Sequence, residues 1–199
     1  MIATMVADTS SARTPAATMT FLGPDENSHI RAVNEYGIEV TVLTVCNTSD
    51  TSFTIFRYPS SQSGPVTICT GSESSGSIDM IVHGQTVRHA TTSAGLATFH
   101  EVLETPMLGT LTWSSSGSRT YHLKGSGNRI VARADLPAMR FTVYVPGDDM
   151  MLDCLLAGWI GLIHKKEKKG KGSAVNSKGV EMAFKIIGHL AGGVGGAGS

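Results

Sequence analysis

From Gly37 to Val145 apolar residues come in short runs that alternate with polar ones. Gly37–Cys46 sets Ile38, Val40, Val42 or Leu43, and Val45 against Glu and Thr. Ser52–Tyr58 puts Phe53, Ile55 and Arg57 on one face and Thr54, Phe56 and Tyr58 on the other. Val66–Thr70 is short and β-branched, and Ser77–His83 with Gln85–Arg88 reads as a hairpin around Gly84. Leu96–Leu103, Leu108–Trp113, Thr120–Lys124, Arg129–Ala134 and Arg140–Val145 complete the series. Strand candidates thus recur about every ten residues, with Gly, Ser, Asn, Asp or Pro between them, which predicts an antiparallel sandwich or barrel rather than βαβ units.

The period then changes. Pro146-Gly147-Asp148-Asp149 is a turn with a good N-cap, and its carboxylates suit a helix N-terminus. Met150–Ile163 follows with Asp153 as its only charge, and His164–Lys171 ends it with cations that complement the helix dipole. A helix that is apolar all round must be buried all round, in protein or in lipid. Its residues span roughly 21 Å, short of a hydrocarbon core of about 30 Å. The length favours a central helix inside a barrel, with Leu152, Leu155, Leu156, Trp159, Ile160 and Ile163 in the core. Gly158 and Gly161 would admit strand side chains, and Trp159 would fill a layer. A membrane anchor through residues 150–163 is the rival.

Outside these segments little order is expected. Residues 1–18 are Ala, Thr and Ser without periodicity and read as a disordered leader, so the barrel domain is placed at 19–170. Residues 171–199 read as a flexible basic and Gly-rich tail, in which Val180, Ala183, Phe184, Ile187 and Leu190 fall at helical spacing over 180–190.

Composition agrees with strands and turns: charged residues are 16%, with Ser, Thr and Gly filling the gap. Net charge is zero, so no global field draws in nucleic acid, and no aromatic–basic interleaving supports such binding. The distribution is uneven. Between His164 and Lys185 seven lysines face two glutamates, a surplus of five that the rest of the chain balances. Lys165, Lys166, Lys168, Lys169 and Lys171 are therefore the candidate contact with anionic phospholipid, worth about 1 kcal/mol per lysine near such a surface.

Candidate chemistry is sparse. Cys46, Cys69 and Cys154 have no metal-like spacing and make no disulfide framework, which predicts a reducing, cytoplasmic location. No secretory signal opens the chain. The histidines (His29, His83, His89, His100, His122, His164, His189) are read as surface or strand-face residues. No G-x-S-x-G elbow occurs, Gly125–Asn128 is a hairpin turn rather than a phosphate loop, and Asp148, Asp149 and Asp153 lack EF-hand spacing. No catalytic residue, metal or cofactor is predicted.

Leu111-Thr112-Trp113, Tyr121-His122-Leu123, Ile130–Arg133, Phe141–Tyr144 and the apolar helix with its Lys-rich end resemble a fungal family of uncharacterised domains. That family is similar to the tubby C-terminal-like superfamily, which includes the phospholipid-scramblase-like and LURP-one-like proteins. The resemblance covers roughly Phe21 to Lys169 and implies a closed barrel of about twelve strands around a hydrophobic C-terminal helix. It implies no site residue, because the basic pocket of tubby and the calcium segment of the scramblases have no counterpart here. The expectation is a mainly β, intracellular binding or scaffold domain, touching anionic membrane through its Lys run. An enzyme with an unconventional pocket is the other alternative.

Overall fold

The computed structural model describes residues 17–58, 64–93, 99–117 and 119–171. Twelve strands run in order: β1 (Met19–Leu22), β2 (His29–Asn34), β3 (Glu39–Ser49), β4 (Ser52–Arg57), β5 (Val66–Ser74), β6 (Ser77–Val82), β7 (Gln85–Ser93), β8 (Phe99–Thr105), β9 (Gly109–Ser115), β10 (Thr120–Lys124), β11 (Ile130–Asp135) and β12 (Arg140–Val143). Each pairs antiparallel with the next, and β12 returns to β1 with Phe141 opposite Phe21, so the sheet closes into a barrel. Closure removes the unpaired edges that would otherwise invite association.

Strands β3 to β12 fall on the ten runs read from the sequence. The two further strands, β1 and β2, occupy the stretch around Phe21–Val33. They gave little signal because β1 has four residues and β2, HIRAVN, has three polar residues (His29, Arg31 and Asn34) beside three apolar ones. The end of the stretch 1–18, expected to be a disordered leader, is held by the barrel. Thr18 donates its N–H to the Val143 carbonyl at 2.8 Å and its hydroxyl to that of Val145 at 2.8 Å. The expected leader up to residue 16 and the tail from residue 172, with its 180–190 segment, lie outside the described residues.

Alternation sorts the side chains. On β4 Phe53 and Ile55 are buried, and on β6 Ile78, Met80 and Val82 are buried while Asp79 and Ile81 face out. Two tight turns show how the hairpins close. Ser75-Gly76 and His83-Gly84 each have positive φ at both positions (48° and 80°, 48° and 77°), the geometry that matches the right-handed twist of the flanking strands.

One helix follows β12, α1 (Asp149–Lys171). Asp148 caps it: its Oδ1 accepts from the Met151 N–H at 2.8 Å, and its carbonyl accepts from the Leu152 N–H at 3.1 Å. The lysine run was expected to end the helix, yet α1 continues to Lys171. Lys and Glu are good helix formers, and no residue that breaks a helix intervenes before Gly170. From Met151 to Lys165 every residue of α1 is buried except Leu152. Leu155, Leu156, Trp159, Ile160 and Ile163, expected in the core, are at most 2% exposed.

The helix packs on β5, β6, β7 and β12. Trp159 stacks on Phe141 of β12 at 5.3 Å between ring centroids, and Phe141 in turn meets Phe21 and Trp113. A Cβ added at Gly158 would overlap the Leu103 side chain of β8, so this glycine permits the close approach. Among the described residues no helix is long and apolar enough to cross a membrane.

Candidate binding site

Charged side chains gather at both ends of α1. Near its first turns Asp153 is 1% exposed, and two partners come from the strands. Arg57 follows Ile55 by two positions and so shares the buried face of β4; its Nη2 donates to Asp153 Oδ1 at 2.6 Å. Its Nη1 also reaches the exposed Asp149 at 3.4 Å. His83, held at positive φ in the β6–β7 turn, places Nε2 at 2.7 Å from Asp153 Oδ2. Burial raises the Asp153 pKa above its ordinary value, and the His83 hydrogen bond and the Arg57 charge oppose that rise. A carboxylate buried this far is tolerated only with such partners.

About 18 Å further along the helix axis a second cluster surrounds Glu101 of β8. Glu101 accepts from His89 Nε2 at 3.0 Å and from Lys166 Nζ at 2.5 Å, with Lys165 Nζ at 3.8 Å. Lys165 donates to Thr91 Oγ1 at 2.6 Å, and Lys166 lies over the Tyr121 ring at 5.1 Å. Burial alone would raise the Glu101 pKa; the hydrogen bonds from His89 and Lys166 override it and hold the carboxyl well below the usual range. Burial lowers the His89 pKa below its ordinary value, and the hydrogen bond with Glu101 opposes that shift. The other ring nitrogen, Nδ1, is buried and has no hydrogen-bond partner among the described residues.

This arrangement changes the reading of the lysines. Lys165 was expected on the surface but is buried, and Lys166 is half-buried against Glu101, because the helix continues past Ile163 and carries both ammonium groups to the strands. The side chains of Lys168, Lys169 and Lys171 lie outside the described residues. His89, read as a strand-face residue, is wholly buried, and His83 is a partner of Asp153 rather than a free surface group. Cys154 is buried as expected of a small hydrophobe. Burial pushes the Cys69 thiol up to about 12 and the Cys154 thiol up to about 11, so both stay protonated and unreactive near neutral pH. Among the described residues no three of His, Cys, Asp and Glu are placed to share a metal ion.

Leu152 departs from the expected core in an informative way. It is only half-buried because it faces a cavity of about 540 Å³ between the first turns of α1 and strands β1 to β4. The walls are Met19, Phe21, Ala32, Val40, Thr41, Val42 and Leu152, and Glu39, Arg57, Tyr58, Asp149 and Asp153 supply the polar rim. A second cavity of about 640 Å³ lies beside the other cluster, along the Ser74–Ser77 turn with Glu73, Arg88, Thr91 and Lys165. The charged groups there already have neighbours: Arg88 pairs with Asp79 at 3.3 Å and Lys165 with Thr91. The first cavity has the size and the mostly apolar lining, with a few converging polar groups, that bind small molecules. No known family, curated protein or solved structure matches this chain.

Proposed function

We propose that this chain is a binding domain of tubby C-terminal-like architecture in which α1 occupies the barrel interior and the mouth beside its first turns receives a small, partly apolar ligand. The central position is supported by burial on all sides of the stretch Met151–Lys165, Leu152 excepted, and by the contacts of α1 with strands on several sides: Arg57 on β4, Leu103 on β8, Tyr121 on β10 and Phe141 on β12. A binding role, rather than catalysis, is supported by the way the closely spaced ionisable groups engage one another across strand and helix. The observation that carries the ligand reading is Leu152. Within the stretch Met151–Lys165 it is the one residue that is not buried, and it lines the cavity.

Leu152→Trp tests the reading, since the larger ring fills the cavity while keeping an apolar residue on the helix. The native protein should enhance Nile red fluorescence saturably with one equivalent bound, and the variant should lose that enhancement while keeping its β-rich circular dichroism. Equal dye binding by the two proteins would refute the mouth as the site.

A second reading, peripheral contact with an anionic membrane through the Lys run, is favoured by the continuation of α1 as one helix to Lys171. Lys165 and Lys166 are engaged by Thr91 and Glu101, so this contact rests on Lys168, Lys169 and Lys171. Co-sedimentation with phosphatidylserine vesicles should fall when these three become Gln, and the absence of any binding at low salt would dismiss it.

A further inference from the structure

We infer that the ligand of the mouth is an amphiphilic organic cation, an ammonium group on an apolar body; this rests on the cavity reading above and names its charge class. The apolar body is set by Phe21, Val42 and Leu152, which line the cavity together with its charged residues. The sign is set by how the rim charges pair. Arg57, its one cation, gives its shortest hydrogen bond to the buried Asp153, 2.6 Å against 3.4 Å to Asp149. The remaining carboxylates on the lining, Glu39 and Asp149, are both exposed, so the open rim is negative.

The positive end of a helix dipole lies nearby and would oppose a cation. Asp148 answers it, because its carboxylate caps the Met151 N–H at 2.8 Å. Tyr58 also stands at the rim, 48% exposed, and offers an aromatic face of the kind that ammonium groups favour. An anionic ligand would meet two exposed carboxylates with Arg57 already engaged, and a neutral one would gain nothing from their charge.

Three probes of one length separate charge from apolar burial: octylammonium, octanol and octanoate, titrated calorimetrically into the full chain at low salt and at 0.5 M salt, a concentration at which the screening length is only about 4 Å. Octylammonium should bind tightest, on the order of tenfold tighter than octanoate, with octanol between them. Its advantage should shrink at high salt and disappear in the double variant Glu39→Gln with Asp149→Asn, which should still bind octanol as the native chain does. Thermal unfolding of the variant checks that it is folded, and the single variant Glu39→Gln, which leaves the helix start intact, should lose part of the advantage. Octanol or octanoate binding as tightly as octylammonium overturns the cation assignment and leaves the cavity reading standing. So does an advantage that survives in the double variant. Binding of none of the three probes overturns both.

Discussion

Gly158→Ala compared with Gly161→Ala measures how closely the strands approach α1. Both replacements gain about 1 kcal/mol of helix propensity, so that gain cancels in the comparison. What remains is packing. At Gly161 the new methyl carbon would sit 3.2 Å from His89 Nδ1 and 3.7 Å from Ile78, contacts that a shift of a few tenths of an ångström relieves. At Gly158 it would overlap both methyl groups of Leu103 and come within 3.1 Å of Cγ. Leu103 is fully buried, so the clash is met by a rotamer change or a backbone shift, at a cost of about 1–3 kcal/mol. Gly158→Ala should therefore be less stable than Gly161→Ala by about 1–3 kcal/mol in urea unfolding followed by circular dichroism. In a Leu103→Ala background, destabilised on its own by about 2–5 kcal/mol, the added methyl has room and Gly158→Ala should become stabilising. Equal stability of the two glycine variants would refute the close approach of β8 to α1. A helix facing solvent or lipid at these positions would gain equally from both.

Both charged clusters give predictions in which the gap between native and variant closes as pH falls, each through its own carboxyl pKa. Arg57→Ala leaves Asp153 buried with His83 alone and should cost about 3 kcal/mol at pH 7. Because the folded Asp153 pKa is already raised above its unfolded value near 3.8, the folded state takes up the proton first; the penalty should shrink as pH falls through the raised pKa, which urea midpoints at several pH values will show. Glu101→Gln should also cost about 3 kcal/mol at pH 7, through the loss of the carboxylate that Lys166 and His89 share. Here the folded pKa is depressed below the unfolded 4.5, so the native advantage is fully present above 4.5 and fades as pH falls below it; a gap between native and variant that stays constant down to acid pH would contradict the assignment. His89, lowered below 6.5, makes both proteins lose stability as pH falls through 6.5, where the unfolded chain protonates first.

Much of the barrel was legible because each strand buries one face. Phe53 and Ile55 alternate with Thr54 and Phe56, and the same period marks Ile78, Met80 and Val82, so ten strands could be read from a two-residue rhythm. The helix was legible for the opposite reason, since Leu155, Leu156, Trp159 and Ile160 leave no polar side that could face water. Helix length was misjudged at one end. Charge suggested a terminus after Ile163, whereas the lysines are satisfied by Thr91 and Glu101, residues that lie more than sixty positions earlier in the chain. Such long-range pairing leaves no trace in local pattern. One pairing did leave a trace. Arg57 sits on the face that Phe53 and Ile55 define as buried, and Asp153 is the single charge within Met150–Ile163. Opposite charges on two surfaces that must both be buried call for each other, and the 2.6 Å contact is what that requirement produces. The cavity was hidden for a different reason: it depends on which side of the helix the strands leave uncovered, a property of β1 and β2, the strands with the weakest sequence signal.

The placement of the two clusters also explains why an apolar helix in this setting carries charge at all. A smooth hydrophobic helix packed on strands has nearly equivalent packings related by rotation or by one turn of about 5.4 Å along its axis. Burial alone discriminates less sharply among them, because aliphatic side chains of similar volume such as Leu and Ile exchange at little cost. Asp153 and the Lys165–Lys166 pair do discriminate. One turn of slip would move Asp153 away from Arg57 and His83 and, at the same time, both lysines away from Glu101 and Thr91. Each displaced charge would then be left in a low-dielectric region without a partner, a cost of several kcal/mol at both ends together. The opposite signs of the clusters add direction. The acidic end meets Arg57 and His83, the basic end meets Glu101, and a reversed helix would oppose like to like. On this view burial holds the helix and charge pairing sets its register, and the register in turn turns Leu152 toward the open side between α1 and β1–β4 and keeps the mouth from closing.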